Sequence, residues 1–341
     1  MRKLRVLSLV REGLVPPESL EGFSEKEILR WKAEYDVLFA LEKLGHRAEP
    51  LGVYDDLGPI RDKLRELKPH IVFMQLEEFH GVVTYDHAIV SYLELMRQPY
   101  TGCNPRGMLL SKDKALSKKI LTYHRIPTAQ FIVFPRGKQI RRPKRLGFPL
   151  FVKSAVEDAS FGISQASIVT SDKALADRVE FIHTQTGGDA MVEQFVDGRE
   201  FYVSVMGNRR LQTFPPWEMN FSKMPEDAAR IATEKVKWYT AYQKKHGIET
   251  AKAKNLPPGA AERMGRICKR VYRALNMSGY ARMDLRMTDD GRIFVLEANA
   301  NPNIEYGDDF AESIESTGVG YEQLIQKIVN LGLSYQAPWQ G

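Results

Sequence analysis

The run Ala281-Arg282-Met283-Asp284-Leu285-Arg286, a turn at Asp289-Asp290-Gly291, and then Arg292-Ile293-Phe294-Val295-Leu296-Glu297-Ala298-Asn299 constrains this chain more than any other segment. Two apolar-alternating runs joined by Asp-Gly predict a β-hairpin, because that dipeptide adopts the tight turns whose twist matches the flanking strands. Side chains on a strand alternate between faces, so Arg282 and Asp284 share one face, and Glu297 and Asn299 share one face of the partner. A lone acidic pair on a hairpin is ordinarily solvated surface. Four spaced polar positions, with Pro302 ending the second strand, argue for a site. Carboxylate and amide oxygens suit Mg²⁺ held jointly with nucleotide phosphates, and an arginine beside them grips a phosphate or a charged intermediate.

The first hundred residues alternate strand and helix signals. Leu4 to Val10 reads as a strand, Glu25 to Leu44 as one amphipathic helix ended by Gly45, Ile60 to Leu67 as a helix and Ile71 to Met74 as a buried strand. That alternation predicts a parallel sheet covered by helices. Tyr100-Thr101-Gly102-Cys103-Asn104-Pro105 is turn chemistry and marks a boundary. From Ser111 a helix carries Lys112, Lys114, Lys118 and Lys119. Short strands follow at Phe131 to Phe134, Pro149 to Lys153, Met191 to Val196, Phe201 to Met206 and Arg210 to Phe214. Residues 215–258, rich in Pro, Lys and aromatics, break the rhythm and predict a long insertion over a site. Helices return at Ala261 to Leu275 and Tyr321 to Leu331.

At 341 residues the chain exceeds one ordinary core and predicts two or three domains. No apolar run is long enough for a bilayer, and the N-terminal segment is too short for a signal peptide, so a cytoplasmic protein without membrane partners is expected. Cys103 and Cys268 have neither CxxC spacing nor a His partner, which predicts two inert thiols. The net charge of +6 collects in Arg136 to Arg145 and Lys235 to Lys254. Such runs are usually solvated faces, so nucleic acid is not expected as a partner.

Further features are weak singly. Lys153 precedes a small-residue loop, Ser154 to Ile163, suited to folding over a phosphate with its backbone N–H groups. Glu193 to Val196 offers backbone groups beside an apolar wall, as an adenine edge needs, and Glu200 is placed to accept from ribose hydroxyls. Their order along the chain raises the signal: Lys114, Lys153, Glu193 with Glu200, Arg282 with Asp284, Glu297 with Asn299. Residues 71–304 resemble the ATP-grasp superfamily, and within it the D-alanine–D-alanine ligases. The resemblance is carried by Tyr100-Thr101-Gly102, Ser111-Lys112-Asp113-Lys114, Val192 to Glu200, Ala281-Arg282-Met283-Asp284 and Leu296-Glu297-Ala298-Asn299.

The resemblance implies an α/β, ATP-grasp fold: an N-terminal parallel α/β domain (residues 1–102), a central subdomain (103–194) and a C-terminal subdomain (195–341) holding the 215–258 insertion. Two antiparallel sheets would clasp ATP. It implies that Lys114, Lys153 and Ser160 contact phosphates, that Glu193, Gln194, Phe195 and Val196 hold adenine, and that Glu200 holds ribose. Asp284, Glu297 and Asn299 would bind two Mg²⁺, with Mn²⁺ as an expected substitute, and Arg282 and Lys153 would be the catalytic cations. The implied activity is ATP-dependent joining of a carboxylate to an amine through an acyl phosphate, on small-molecule or peptide substrates, in a protein able to form a homodimer. The alternatives are D-alanine–D-alanine ligase itself and a non-catalytic ATP-binding module.

Departures fall in the amino-acid half. The family's Gly-Gly-x-Ser opening and following glutamate are absent, since the first strand runs into Val10-Arg11-Glu12-Gly13. After His80-Gly81 stand Val82-Val83-Thr84-Tyr85-Asp86, and one of the paired serines is Ala159. Past Asn299, the family's Ser-Pro-Gly and later serine give way to Asn301-Pro302-Asn303 and Gly307-Asp308-Asp309. Asn303 and Asp308 are therefore the candidate substrate residues. The acidic run Glu305, Asp308, Asp309 and Glu312 predicts an acceptor that carries a positive charge or lacks a free carboxylate near its amine, because like charge repels a carboxylate. Ser154 to Ile163 and residues 215–258 are expected to be lids, with Lys244 or Lys245 reaching the phosphates.

Overall fold

The computed structural model describes residues 3–156, 162–226 and 228–340. An N-terminal parallel sheet has β1 (Arg5–Arg11) between β2 (Arg47–Val53) and β3 (Ile71–Met74). β3 is a continuous apolar run and β1 is apolar from Val6 to Val10 except for the buried Ser8, as suits strands covered on both faces, and they carry part of the core. β2 escaped the sequence reading because it is half polar and contains Pro50; it is an edge strand, where the missing N–H is tolerated.

The single helix expected over 25–44 is two. Ser24 and Glu27 form a capping box for Glu25–Ile28, and a second helix runs Lys32–Lys43. Between them Trp31 leaves helical dihedrals (φ −132°, ψ 20°) and is buried edge-on against Phe23 at 5.5 Å. The helix expected from Ser111 is also split. Asp113 ends Pro105–Lys112 and caps Lys114–Tyr123, its carboxylate accepting the Leu116 N–H at 2.8 Å.

A four-stranded antiparallel sheet follows, in the order β4 (Phe131–Phe134), β7 (Ala190–Gln194), β5 (Leu150–Ser154), β6 (Ile168–Val169). Leu150, Val152 and Val192 face a helix at Asp172–Thr186 and pack with its Leu175, Val179 and Ile182. Alternation sends Phe151, Lys153 and Glu193 to the opposite face.

The larger antiparallel sheet comprises β8 (Arg199–Met206), β9 (Gln212–Thr213), β10 (Trp217–Phe221), β11 (Ile248–Lys252), β12 (Tyr280–Met287) and β13 (Ile293–Ala300). Its order is β11-β10-β8-β12-β13, with β9 paired to the end of β8. Phe201, Val203, Val205, Ala281, Met283 and Leu285 line the face covered by the helix Ala260–Ala274. The opposite face carries Glu200, Tyr202, Arg282, Asp284 and Arg286. The long insertion expected over residues 215–258 contains β10 and β11, paired in register from Trp217↔Lys252 to Phe221↔Ile248. Both cysteines are free and buried, and no helix among the described residues is long and apolar enough to cross a membrane.

Candidate active site

The polar faces of the two antiparallel sheets flank a half-open cavity of about 80 Å³. β5 contributes Phe151 and Lys153, β7 Glu193, β12 Asp284 and Arg286, and β13 Leu296 and Glu297; Lys114 enters from its helix, whose first N–H is tied to the Ala155 carbonyl at 3.0 Å. The two strands of the expected hairpin pair, and their register sets Arg282 opposite Asn299 and Asp284 opposite Glu297. A β-bulge follows, because Leu285 pairs with Val295. The extra residue, Leu296, lets two consecutive side chains, Leu296 and Glu297, reach the cavity while Val295 and Ala298 stay in the core.

Charge in the cavity is nearly all paired. The buried Glu193 carboxylate receives Lys118 at 2.7 Å and Lys153 at 3.0 Å. Burial alone would raise the Glu193 pKa, but the two lysines hold it below the usual carboxylate value. Burial pushes the Lys118 ammonium below its usual value, whereas for Lys153 the nearby carboxylates Glu193 and Glu297 outweigh burial and raise it. Lys118 also donates to Thr128 Oγ1 at 2.6 Å, and that hydroxyl donates to the Val295 carbonyl, so the lysine is fastened to both sheets.

Beyond Glu193 the chain crosses between the sheets. Gln194 and Phe195 N–H donate to the Gln130 and Pro149 carbonyls, and the Val196 carbonyl accepts from Arg286 Nη1 at 2.8 Å. The Val196 N–H makes no hydrogen bond among the described residues. Arg286 also pairs with Glu200 at 2.9 Å, and Glu200 accepts from the Tyr202 hydroxyl at 3.0 Å.

At the other end of the cavity, Arg282 grips Asp284 through two bonds, Nε–Oδ1 at 2.8 Å and Nη2–Oδ2 at 3.0 Å, with its guanidinium 4.7 Å from the Tyr202 ring. Burial raises the Asp284 pKa against the pull of Arg282. Burial also opposes ionisation of Glu297, but Lys114, Lys153, Lys237 and Arg282 outweigh it and bring its pKa down to about 2. Lys114 Nζ is 3.9 Å from Glu297 Oε2.

A second, open cleft of about 780 Å³ is lined in part by Arg282. Its walls come from the N-terminal sheet and helix (Glu34, Gln75, Leu76), from the large sheet (Arg282, Asn299, Glu249) and from the loop after β13 (Asn303, Asp308, Asp309). Lys237 and Glu297 line both cavities, so the two spaces meet at these side chains. Among the described residues the buried Asn299 side-chain nitrogen has no hydrogen-bond partner.

The residues singled out in the sequence thus divide between two adjoining spaces. Lys114, Lys153, Glu193, Gln194, Phe195, Val196, Glu200, Asp284 and Glu297 line the first; Arg282, Glu297, Asn299, Asn303 and Asp308 line the second. Ser160, and five of the ten residues from Ser154 to Ile163 expected to act as a lid, lie outside the described residues. Lys244 and Lys245, expected to reach the phosphates, are exposed and line neither space; Lys237, earlier in the same segment, does. The reason is local. Lys237 sits on the short helix Glu234–Trp238, whose first N–H bonds the Ile163 carbonyl at 3.1 Å, so that turn is drawn over the cavity. Sequence reasoning also passed over Arg286, two residues past Asp284 on the same face of β12, and Lys118, one helical turn after Lys114; both periodicities were available as signals.

Residues 120–330 match the sequence profile of the family described as D-ala D-ala ligase C-terminus. An uncharacterized protein, y4sG, of Sinorhizobium fredii is 31% identical over 302 residues, covering 86% of this chain and 85% of that protein. A D-alanine–D-alanine ligase of Pelotomaculum thermopropionicum is 27% identical over 297 residues, covering 83% and 86%. In three dimensions the chain resembles the D-alanine–D-alanine ligase of Bacillus anthracis complexed with ATP, with a TM-score of 0.72 at 21% identity over 96% of this chain and 97% of that one. It resembles another structure of the same ligase with a TM-score of 0.74 at 21% identity, over 97% of each chain.

Proposed function

The chain belongs to the family defined by the C-terminal part of D-alanine–D-alanine ligases, and from that membership we propose that it is an ATP-dependent ligase joining a carboxylate to an amine, with release of ADP and phosphate. The observation that carries the reading is the seam at Lys237 and Glu297, where a cavity rich in lysines opens into a separate cleft. A phosphoryl donor in the first space and an acceptor in the second would meet there. In this reading residues 1–102, 103–194 and 195–341 are the N-terminal, central and C-terminal units.

Nucleotide phosphates would lie against Lys114 and Lys153, and the unengaged Val196 N–H would meet an acceptor on the adenine ring. Glu200, held by Arg286 and Tyr202, would face the ribose. Asp284, Glu297 and Asn299 fit Mg²⁺: among the described residues no trio of His, Cys, Asp or Glu is clustered, but two facing carboxylates and an amide are. The orphaned Asn299 nitrogen fits the same role, since a half-turn of the amide puts an oxygen in its place. Bound Mg²⁺ supplies positive charge to phosphate oxygens during transfer.

The chemistry left to the chain is electrostatic and positional. The substrate carboxylate oxygen attacks the γ-phosphorus and the β–γ bridging oxygen departs with ADP. Lys153 and Lys237 would offset the charge that develops, and Arg282, fixed by its bidentate hold on Asp284, would face the acyl phosphate. The amine then attacks the acyl carbon, phosphate leaves, and the amine loses a proton.

The test is ADP release from ATP with Mg²⁺ across pairs of carboxylates and amines, with mass spectrometry of the product. ADP formation that needs both partners and yields an amide supports the reading; nucleotide binding without substrate-dependent ADP leaves a non-catalytic ATP module. Product from D-alanine alone would select D-alanine–D-alanine ligase, the activity named for the Pelotomaculum relative.

A further inference from the structure

One side chain bridges the two spaces. Glu200 lines the first and Arg282 the second, and Tyr202, on β8, touches both. Its hydroxyl donates to Glu200 Oε1 at 3.0 Å, while Glu200 Oε2 accepts from Arg286 Nε at 3.2 Å and Nη2 at 2.9 Å, so both oxygens of that carboxylate are fixed. Burial, with Glu200 and Asp284 nearby, holds the phenol's pKa well above its usual value. The hydroxyl therefore keeps its proton and remains the donor.

The ring makes a separate contact. The Arg282 guanidinium lies over it, 4.7 Å from its centroid, and Asp284, opposite Tyr202 in the register, accepts from Nε and Nη2 of the same guanidinium. Asp284 thus fixes one edge of the cation and Tyr202 one face, and Nη1 makes no hydrogen bond among the described residues. The attraction between a cation and an aromatic face strengthens away from water, and Tyr202 is 3% exposed. The ring is itself held, since it packs with Trp217, Met219 and Val236, and Val236 precedes Lys237 on the short helix Glu234–Trp238. A phenylalanine at this position would keep the contact with Arg282 and lose the bond to Glu200; a leucine would lose both.

We propose that Tyr202 is a positioning residue of the ligase reaction, holding Glu200 for the nucleotide's ribose through its hydroxyl and aiming Arg282 at the acyl phosphate through its ring. The proposal rests on the ligase reading and deepens it: one buried phenol ties the group that meets the nucleotide to the group that meets the intermediate. The two roles use different atoms of one side chain, so substitution separates them.

The test uses the full-length protein, Mg²⁺ and three probes: ADP, 2′,3′-dideoxy-ADP, which lacks both ribose hydroxyls, and acetonylphosphonate. In the last, carbon replaces the bridging oxygen of an acyl phosphate, so no phosphoryl group transfers. Nucleotide affinities are read by calorimetry, and the phosphonate is titrated onto the Mg²⁺–ADP complex by phosphorus NMR. Tyr202→Phe is expected to bind ADP at least ~10-fold more weakly and to leave the affinities for 2′,3′-dideoxy-ADP and the phosphonate unchanged. Tyr202→Leu is expected in addition to weaken the phosphonate at least ~10-fold. The thermal shift given by 2′,3′-dideoxy-ADP shows that a variant is folded, and Tyr202→Met, which fills more of the buried site, repeats the leucine arm if that variant does not fold. A tyrosine with a merely structural role would weaken the two nucleotides equally. That outcome, an unchanged ADP affinity in Tyr202→Phe, an unchanged phosphonate affinity in Tyr202→Leu, or no phosphonate binding by wild type would overturn the proposal. Failure of ADP to shift wild-type melting would instead count against the ligase reading, so the two failures are distinct.

Discussion

Lys118 Nζ lies 2.7 Å from the Glu193 carboxylate, and both side chains are buried. The same carboxylate holds Lys153. Glu193 is therefore a charge clamp that holds Lys153, which lines the cavity, and the buried Lys118 behind it. Removing the clamp strands two buried cations. Glu193→Gln is expected to lose about 3–5 kcal/mol of stability in urea unfolding, and Lys118→Met in the same background should restore part of it. A Glu193→Gln protein within about 1 kcal/mol of wild type would show that neither lysine depends on it.

Lys237 and Glu297 line both spaces, so their removal should affect the reaction more than either binding step. Lys237→Ala and Glu297→Ala are expected to lower kcat by at least ~100-fold, with the nucleotide-induced thermal shift retained in Lys237→Ala. Lys244→Ala and Lys245→Ala, on exposed positions, should resemble wild type. A Lys237→Ala enzyme with normal kcat would move the reaction away from the seam.

Glu34 gives a pH signature independent of substrate. Its folded pKa is about 7 against a usual 4.5, so between these values the folded state holds a proton the unfolded state has lost. Stability should therefore fall as pH rises from 4.5 through 7, the penalty being absent below 4.5 and complete above 7. Glu34→Gln removes the ionisation and is expected to raise stability at pH 8 by about 1–3 kcal/mol and to change it little at pH 4. Equal effects at both pH values would mean that the carboxylate is not strained by burial.

Gln165, on the small-sheet side of the cavity, holds the segment that carries Lys237. Its amide donates to the Ala229 carbonyl at 2.9 Å and accepts the Ala229 N–H at 3.0 Å. Together with the bond from the Glu234 N–H to the Ile163 carbonyl, this pins residues 228–238 across the cavity mouth. If this segment is a lid, Gln165→Ala should raise its rate of proteolysis several-fold, and nucleotide should protect wild type. Equal cleavage of the two proteins, with and without nucleotide, would argue for a fixed roof.

Much of the site was legible because strand geometry is local. Arg282 beside Asp284, and Glu297 beside Asn299, follow from a period of two and an Asp-Gly turn, and the register places them face to face. The bulge that brings Leu296 to the same face was not legible, since a shift of one residue depends on how the partner strand is held. The helix boundaries at Trp31 and Asp113 fell outside the periodic signal for similar reasons: one follows the burial of an indole ring against Phe23, the other a cap that serves two helices.

By itself the sequence determined which side chains share a face and which chemical groups the chain holds in order, because alternation along a strand and turn chemistry act over a few residues. The tertiary structure alone decided which lysines reach the cavity, that Arg286 is spent on Glu200, that two separate spaces meet at Lys237 and Glu297, and that Glu34 is left buried in an acidic wall. Those relations join residues up to some 260 positions apart (Glu34 to Glu297). They depend on how sheets and helices pack and on which charges find partners when they do, and no local pattern in the chain encodes that.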